Sequence, residues 1–346
     1  MYQRGKISPT GLMYLLFISR IAVSLTNVQS ITMGKISSDI LISLVLSLAI
    51  TLLLSLPAIF CTKKGKSPFD VRWLGYLYFL YFVFISAVNI SRFSYFASTT
   101  LNPDSQSWII IFIICVCICY CVNLGIEAIS RFAGFGFIVM LLGALAVILS
   151  NIEEYNEINL YPIVTDSRVD IFKNAFILSS NTTEIIVLLC LKNRVNGVPV
   201  KAYVNAILLY FVTIFLLILF MLAVMGESTQ FKSFPFYTFF QISKIGTYER
   251  LDVIHISFWI MGIFIKSVLT VYCAAVSVKS MKSTTKSIIA SVITFVLALV
   301  FAQTGMSGNM KPLMIALPFA VFCVIIPLLT LIFKKRSTAD ALIERF

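Results

Sequence analysis

The chain has 346 residues, of which 59% are hydrophobic and only 12% charged, with a mean hydropathy of +0.97. A soluble domain usually carries about 25% charged residues, so this composition excludes a water-solvated globule and points to lipid as the main solvent. The formal charge of +12 falls in short clusters between apolar runs, where it sets membrane orientation and does not signal nucleic acid.

A helix needs about 20 apolar residues to cross the hydrocarbon. The apolar runs predict an all-α integral membrane protein with ten transmembrane helices, at roughly 10–32, 38–60, 74–101, 107–123, 128–150, 171–191, 202–225, 252–280, 287–303 and 311–333. Arg4 and Lys6 precede the first span and no small-residue cleavage pattern follows it, so a cleaved signal peptide is not expected. With the start placed in the cytoplasm, most of the 27 Lys and Arg residues fall on inner loops, among them Lys63, Lys64, Lys66, Lys192 and Arg194. That bias predicts an even span count and both termini in the cytoplasm.

The first span carries Ser19, Arg20, Ser24, Thr26 and Asn27, with no glycine between Gly11 and Gly34. Two readings stand open there: a helix broken at mid-membrane, or ordinary packing through small residues. Arg20 lies ~15 Å into this helix, while Arg92, ~27 Å along the third, is nearer the outer surface. In the fourth span, Cys115, Cys117, Cys119 and Cys121 recur every second residue, about 200° apart on a helix, so they do not converge on one ion. No metal and no cofactor is expected. Glu127 and Arg131, four apart at the start of the fifth span, are neighbours on one face and predict an intrahelical ion pair.

Longer connections follow the fifth span (151–170) and the seventh (226–251). A single domain over 1–346 is expected, with inverted repeats at about 10–150 and 171–333. Within the second connection, Phe236 to Ile242 reads either as a short helix at the surface or as a plain loop. In the sixth span, Ser179-Ser180-Asn181-Thr182-Thr183-Glu184 places six polar side chains in succession. They cannot all face one neighbour, so some line a cavity or satisfy backbone groups freed by a break. Asp252 is placed to cap the eighth helix. His255 is the only histidine, which removes His-based zinc sites and a Ser-His-Asp hydrolase from consideration; no enzyme activity is expected.

Ionisable residues inside a span are costly and each is a functional hypothesis. Glu184, ~20 Å into the sixth helix, and Lys266, ~21 Å into the eighth, join Arg20 near the midplane. If Glu184 pairs with Lys266 or Arg20, a deep cation still needs acceptors, from backbone carbonyls or a ligand carboxylate. A small anionic or zwitterionic solute satisfies that need; a purely structural charge network is the other reading.

These residues resemble a family. Phe234-Pro235, Arg250 with Asp252, Trp259 and Lys266 match the pattern of the B subunits of bacterial spore nutrient germinant receptors, the spore permeases of the amino acid–polyamine–organocation superfamily. Lys6-Ile7-Ser8-Pro9, Arg92-Phe93, Gly125-Ile126-Glu127 with Arg131, Asn159-Leu160-Tyr161-Pro162 and Glu184 extend the match over nearly the whole chain. The resemblance implies a LeuT-like fold of 5+5 inverted repeats in the spore inner membrane. It implies an A-type subunit and a C-type lipoprotein subunit as partners, and a small nutrient, typically an amino acid, as ligand. It nominates Ser19, Arg20, Ala22, Val23, Ser24, Asn181, Thr182, Thr183, Glu184 and Lys266 for ligand binding where the first and sixth helices unwind. Arg92, Glu127, Arg131, Arg250, Asp252 and Trp259 are then structural or coupling residues. A proton-coupled amino-acid transporter with Glu184 as proton carrier is the alternative. The chain departs from the family's pattern in having Arg20 where relatives carry Gly or an acidic residue, and Asn181-Thr182-Thr183 where they carry a Pro/Gly-containing stretch.

Overall fold

The computed structural model describes residues 5–31, 37–102, 104–162, 166–244, 251–279, 282–309 and 311–333. In lipid every backbone polar group must be satisfied within the chain, and long apolar runs do this as helices. The helices are α1 (Pro9–Ile31), α2 (Asp39–Lys63), α3 (Arg72–Phe96), α4 (Ser107–Leu124), α5 (Ile126–Ser150), α6 (Arg168–Ser180), α7 (Glu184–Leu191), α8 (Pro199–Met225), α9 (Pro235–Ile242), α10 (Asp252–Ser277), α11 (Ser283–Gln303), α12 (Met306–Asn309), α13 (Leu313–Phe319) and α14 (Ile326–Phe333). Among the described residues nine spans are long and apolar enough to cross a bilayer, α6 with α7 forming one and α13 with α14 another; α1, apolar over Pro9–Leu25, completes the ten. The chain is a multi-pass membrane protein.

Packing partners reveal the relation between the halves. The first span lies on the seventh (α1 on α8) and the second on the sixth (α2 on α6). Exchanging spans 1–5 with 6–10 turns each of these pairs into the other. The same exchange maps the pair α3 with α10 onto itself, and likewise α4 with α11. That is the contact pattern of two repeats related by a two-fold axis.

Small residues allow the closest approaches, as expected where helix association depends on van der Waals contact and not on water exclusion. A Cβ added at Gly262 on α10 would sit 2.8 Å from the Ala22 Cβ on α1, and one added at Gly75 on α3 would collide with the backbone oxygen of Ser277. The centre of the bundle is thus set by α1, α3 and α10 in direct contact.

Two open readings are resolved, and the unwinding of the first helix implied by the resemblance is corrected. The first span does not break: α1 is one helix from Pro9 to Ile31, because nothing between Gly11 and Gly34 removes an N–H or opens the ladder. Phe236 to Ile242 does form a helix, α9, but not one lying loosely at the surface. Its Phe236, Phe239 and Phe240, spaced to share one face, are buried against α10, α8 and α1.

The start of the chain is tied to the opposite half. Ile7 donates its N–H to the Arg194 carbonyl at 2.8 Å and accepts from Asn196 N–H at 2.9 Å, forming a parallel bridge beside Val195, just past the end of α7. Glu127 does not pair with Arg131 among the described residues. Its Oε1 accepts the Gly5 N–H at 2.6 Å, which offers a charge-assisted bond in place of a solvated i,i+4 pair, and Arg131 is left exposed.

Candidate functional site

The sixth span breaks at 181–183, between α6 and α7. In a continuous helix the Leu178 carbonyl would accept from Thr182 N–H; here Thr182 N–H turns to Ser179 O at 3.0 Å. Arg20 takes the vacated acceptor, donating from Nη2 to Leu178 O at 2.6 Å. Asn181 closes the end of α6 locally through Nδ2 to Ile177 O at 3.2 Å.

Glu184 is the first residue of α7, where a negative charge suits the helix N-terminus. Its Oε1 accepts from Ser19 Oγ at 2.5 Å and from Lys266 Nζ at 2.9 Å. Lys266 Nζ also donates to Thr183 Oγ1 at 3.0 Å and Ser19 Oγ at 3.3 Å. An ammonium has three N–H donors, and all three are used. This hub joins α1, the break and α10, with Glu184 0% and Lys266 1% exposed. Of the two pairings open from sequence, the structure selects Lys266.

Arg20, 1% exposed, is treated differently. Its guanidinium carbon stands 4.8 Å from the Tyr210 ring centroid, and Tyr210 Oη is 2.6 Å from Ser24 Oγ. Among the described residues its Nε and Nη1 have no hydrogen-bond partner, and neither has Glu184 Oε2; all are buried. Two cations therefore meet one anion at the break, and polar capacity on both signs is unused.

The remaining nominated residues divide clearly. Thr182 Oγ1 is buried with no partner among the described residues. Val23 is buried without a polar role. Ala22 packs with Phe93, Phe96, Ala97, Trp259 and Ile263 in a separate, aromatic-rich cluster on one side of the hub. Trp259 meets Phe93 with ring centroids 5.7 Å apart, and His255 meets Phe240 at 4.8 Å, so the single histidine is held by aromatic packing. Arg92 is buried beside this cluster and is not brought to the hub by any polar contact among the described residues. Asp252 is not the N-cap of α10 but its first helical residue, after Leu251, which puts its negative charge in the first turn as expected; its Oδ2 accepts from Tyr237 Oη at 3.3 Å. Arg250 lies outside the described residues, as do the side chains of Thr26 and Asn27. Tyr210 was not nominated; a tyrosine in the middle of an apolar span, whose hydroxyl needs a partner when buried, was the available signal.

The profile of a family described as "spore germination protein" matches residues 6–310. In fold the chain is similar to the solved structure of a Na+-coupled sialic acid symporter in a substrate-bound outward-open state, with a TM-score of 0.61 over 98% of this chain and 82% of that one. At 12% identity the likeness is one of fold, and it is the LeuT-like arrangement. No curated protein sequence gives a significant match.

Proposed function

The chain belongs to the spore germination protein family, and we propose that it is the permease-like subunit of a nutrient germinant receptor. In this reading a small nutrient, an amino acid or close relative, binds at the break in the sixth span. Binding shifts the population of conformations, and the shift passes to an A-type subunit and a C-type lipoprotein subunit in the spore inner membrane. A ligand shifts an equilibrium only by its differential affinity for the two states. A hub that ties α1, the break and α10 through Ser19, Thr183, Glu184 and Lys266 is a place where such a difference arises, because ligand contacts there compete with interhelical ones.

The observation that carries the reading is the broken sixth span with the buried Nε and Nη1 of Arg20 and Oε2 of Glu184 beside it, which have no hydrogen-bond partner among the described residues. A finished structural network would satisfy these atoms internally, since a buried polar group left unmade costs about 1–3 kcal/mol. The alternative, a proton-coupled amino-acid transporter, draws on the same fold. It needs Glu184 to release and rebind a proton, and the Lys266 ammonium at 2.9 Å favours a fixed carboxylate instead.

The test is a pair of measurements. Spores lacking this chain should lose the response to one nutrient and regain it on complementation, with the A-type and C-type subunits co-purifying. Proteoliposomes holding the chain alone should show no uptake of that nutrient. Uptake driven by a proton gradient, with germination unaffected by the deletion, would replace the receptor reading by the transporter one.

A further inference from the structure

The two buried cations at the break are not equivalent. Lys266 has a full set of acceptors, three side-chain oxygens within 3.3 Å. Arg20 has one carbonyl, Leu178 O, and the face of Tyr210. No carboxylate pairs with it among the described residues. A guanidinium is a planar set of five N–H donors. Leu178 takes one of the two Nη2 hydrogens. The other, together with an Nη1 hydrogen or with the Nε hydrogen, leaves one complete two-pronged edge, the geometry that a carboxylate fills. Glu184 Oε2 is buried with no hydrogen-bond partner among the described residues and can accept one.

Charge points the same way. Arg20 and Lys266 against Glu184 leave one positive charge at the break, and an uncompensated buried charge is unfavourable unless paired. A neutral solute, zwitterionic or not, leaves that charge standing. A solute of net charge −1 removes it.

We propose that the nutrient is an acidic amino acid, net charge −1, with a carboxylate seated on the open edge of Arg20 and its ammonium directed to Glu184 Oε2. The proposal rests on the sensing reading for its location at the break, and it narrows the ligand from amino acids at large to acidic ones. It also gives a role to Arg20 at the centre of the first span, where the family's pattern has Gly or an acidic residue.

The experiment compares near-isosteric pairs on the full chain in lipid nanodiscs: L-glutamate against L-glutamine and L-aspartate against L-asparagine, read by thermal unfolding. The acids should raise Tm with half-saturation at least about tenfold below the amides, because an amide leaves the buried guanidinium without its anion. Arg20→Gln should erase the difference, and Arg20→Lys, which keeps the charge but not the two-pronged edge, should retain only part of it. The wild-type comparison needs no variant, so it decides even if Arg20→Gln fails to fold. Amides matching acids in the wild type, or an acid preference that survives Arg20→Gln, overturns the proposal. If none of the four shifts Tm while spores still need this chain to answer a nutrient, the proposal falls and the sensing reading stands. If that need is absent as well, both fall.

Discussion

Glu184→Gln removes the charge that faces Lys266 while keeping an oxygen in nearly the same place. In the wild type the Lys266 ammonium meets Glu184 Oε1 at 2.9 Å, Thr183 Oγ1 at 3.0 Å and Ser19 Oγ at 3.3 Å, out of reach of solvent. Removing one partner of a buried ion pair costs about 3–5 kcal/mol. With two hydroxyls and an amide oxygen left around the ammonium, the expected loss for Glu184→Gln is at the low end, about 3 kcal/mol. Glu184→Ala also strips Ser19 of its acceptor and opens a void, and its loss should approach about 5 kcal/mol. Lys266→Met strands the carboxylate instead, at a cost similar to that of Glu184→Gln. The double variant Glu184→Gln/Lys266→Met holds neither charge, so the single losses should fail to add by about 1.5 kcal/mol or more. Reversible unfolding of the purified chain by SDS in mixed micelles measures these values, and membrane abundance provides a parallel reading. Additivity within about 0.5 kcal/mol would refute a direct energetic pair. So would wild-type stability of Glu184→Gln, which is the result a protonated glutamate would give, since glutamine resembles the protonated form.

Three further outcomes are expected. Gly75→Ala should lose about 1–3 kcal/mol, because the new methyl meets backbone of α10 and not a movable side chain, whereas Gly134→Ala, with 3.4 Å to the nearest Tyr14 atom, should be tolerated; equal unfolding of the two variants would contradict the close approach of α3 and α10. A cysteine placed at Lys64 in a background lacking reactive native thiols should label only from the cytoplasmic side and one at Glu154 only from the outside, as the basic-residue bias requires; labelling of position 64 from the exterior would invert the topology. Because Lys266 supplies a fixed cation at the hub, the nutrient response should be unchanged when potassium replaces sodium; a response that vanishes in potassium would show that a mobile ion is needed.

Much of the bundle was legible because hydrocarbon imposes a length on every span and a cost on every charge inside it. Glu184, Lys266 and Arg20 stood out for that reason, and the six polar residues ending at Glu184 marked the break. What stayed hidden depends on which atoms a particular backbone path frees. That Arg20 would take the Leu178 carbonyl follows from the turn at 181–183, and nothing in the spacing of side chains encodes it. The same holds for Glu127: the i,i+4 rule saw Arg131, but the acceptor was claimed by the backbone of Gly5, a residue more than a hundred positions away. The polar set of the first span left a break and a continuous helix both open, and the resemblance favoured the break; the absence of Gly and Pro across the segment is what keeps α1 continuous.

The stitch at Ile7 has a mechanical consequence. The chain enters α1 two residues later, at Pro9, and leaves α7 at Leu191, three residues before Arg194, whose carbonyl receives the Ile7 N–H. The base of the first span and the base of the half-helix carrying Glu184 are therefore hinged on the same pair of backbone hydrogen bonds. Any rearrangement that slides one against the other must either break both bonds or turn about them. The lever arm from that fulcrum to Glu184 runs through the short turn Lys192–Arg194 and the eight residues of α7, at least about 12 Å. A tilt of 5° about Ile7 moves the Glu184 end of α7 by about 1 Å, enough to stretch a 2.9 Å contact with Lys266 beyond hydrogen-bonding range.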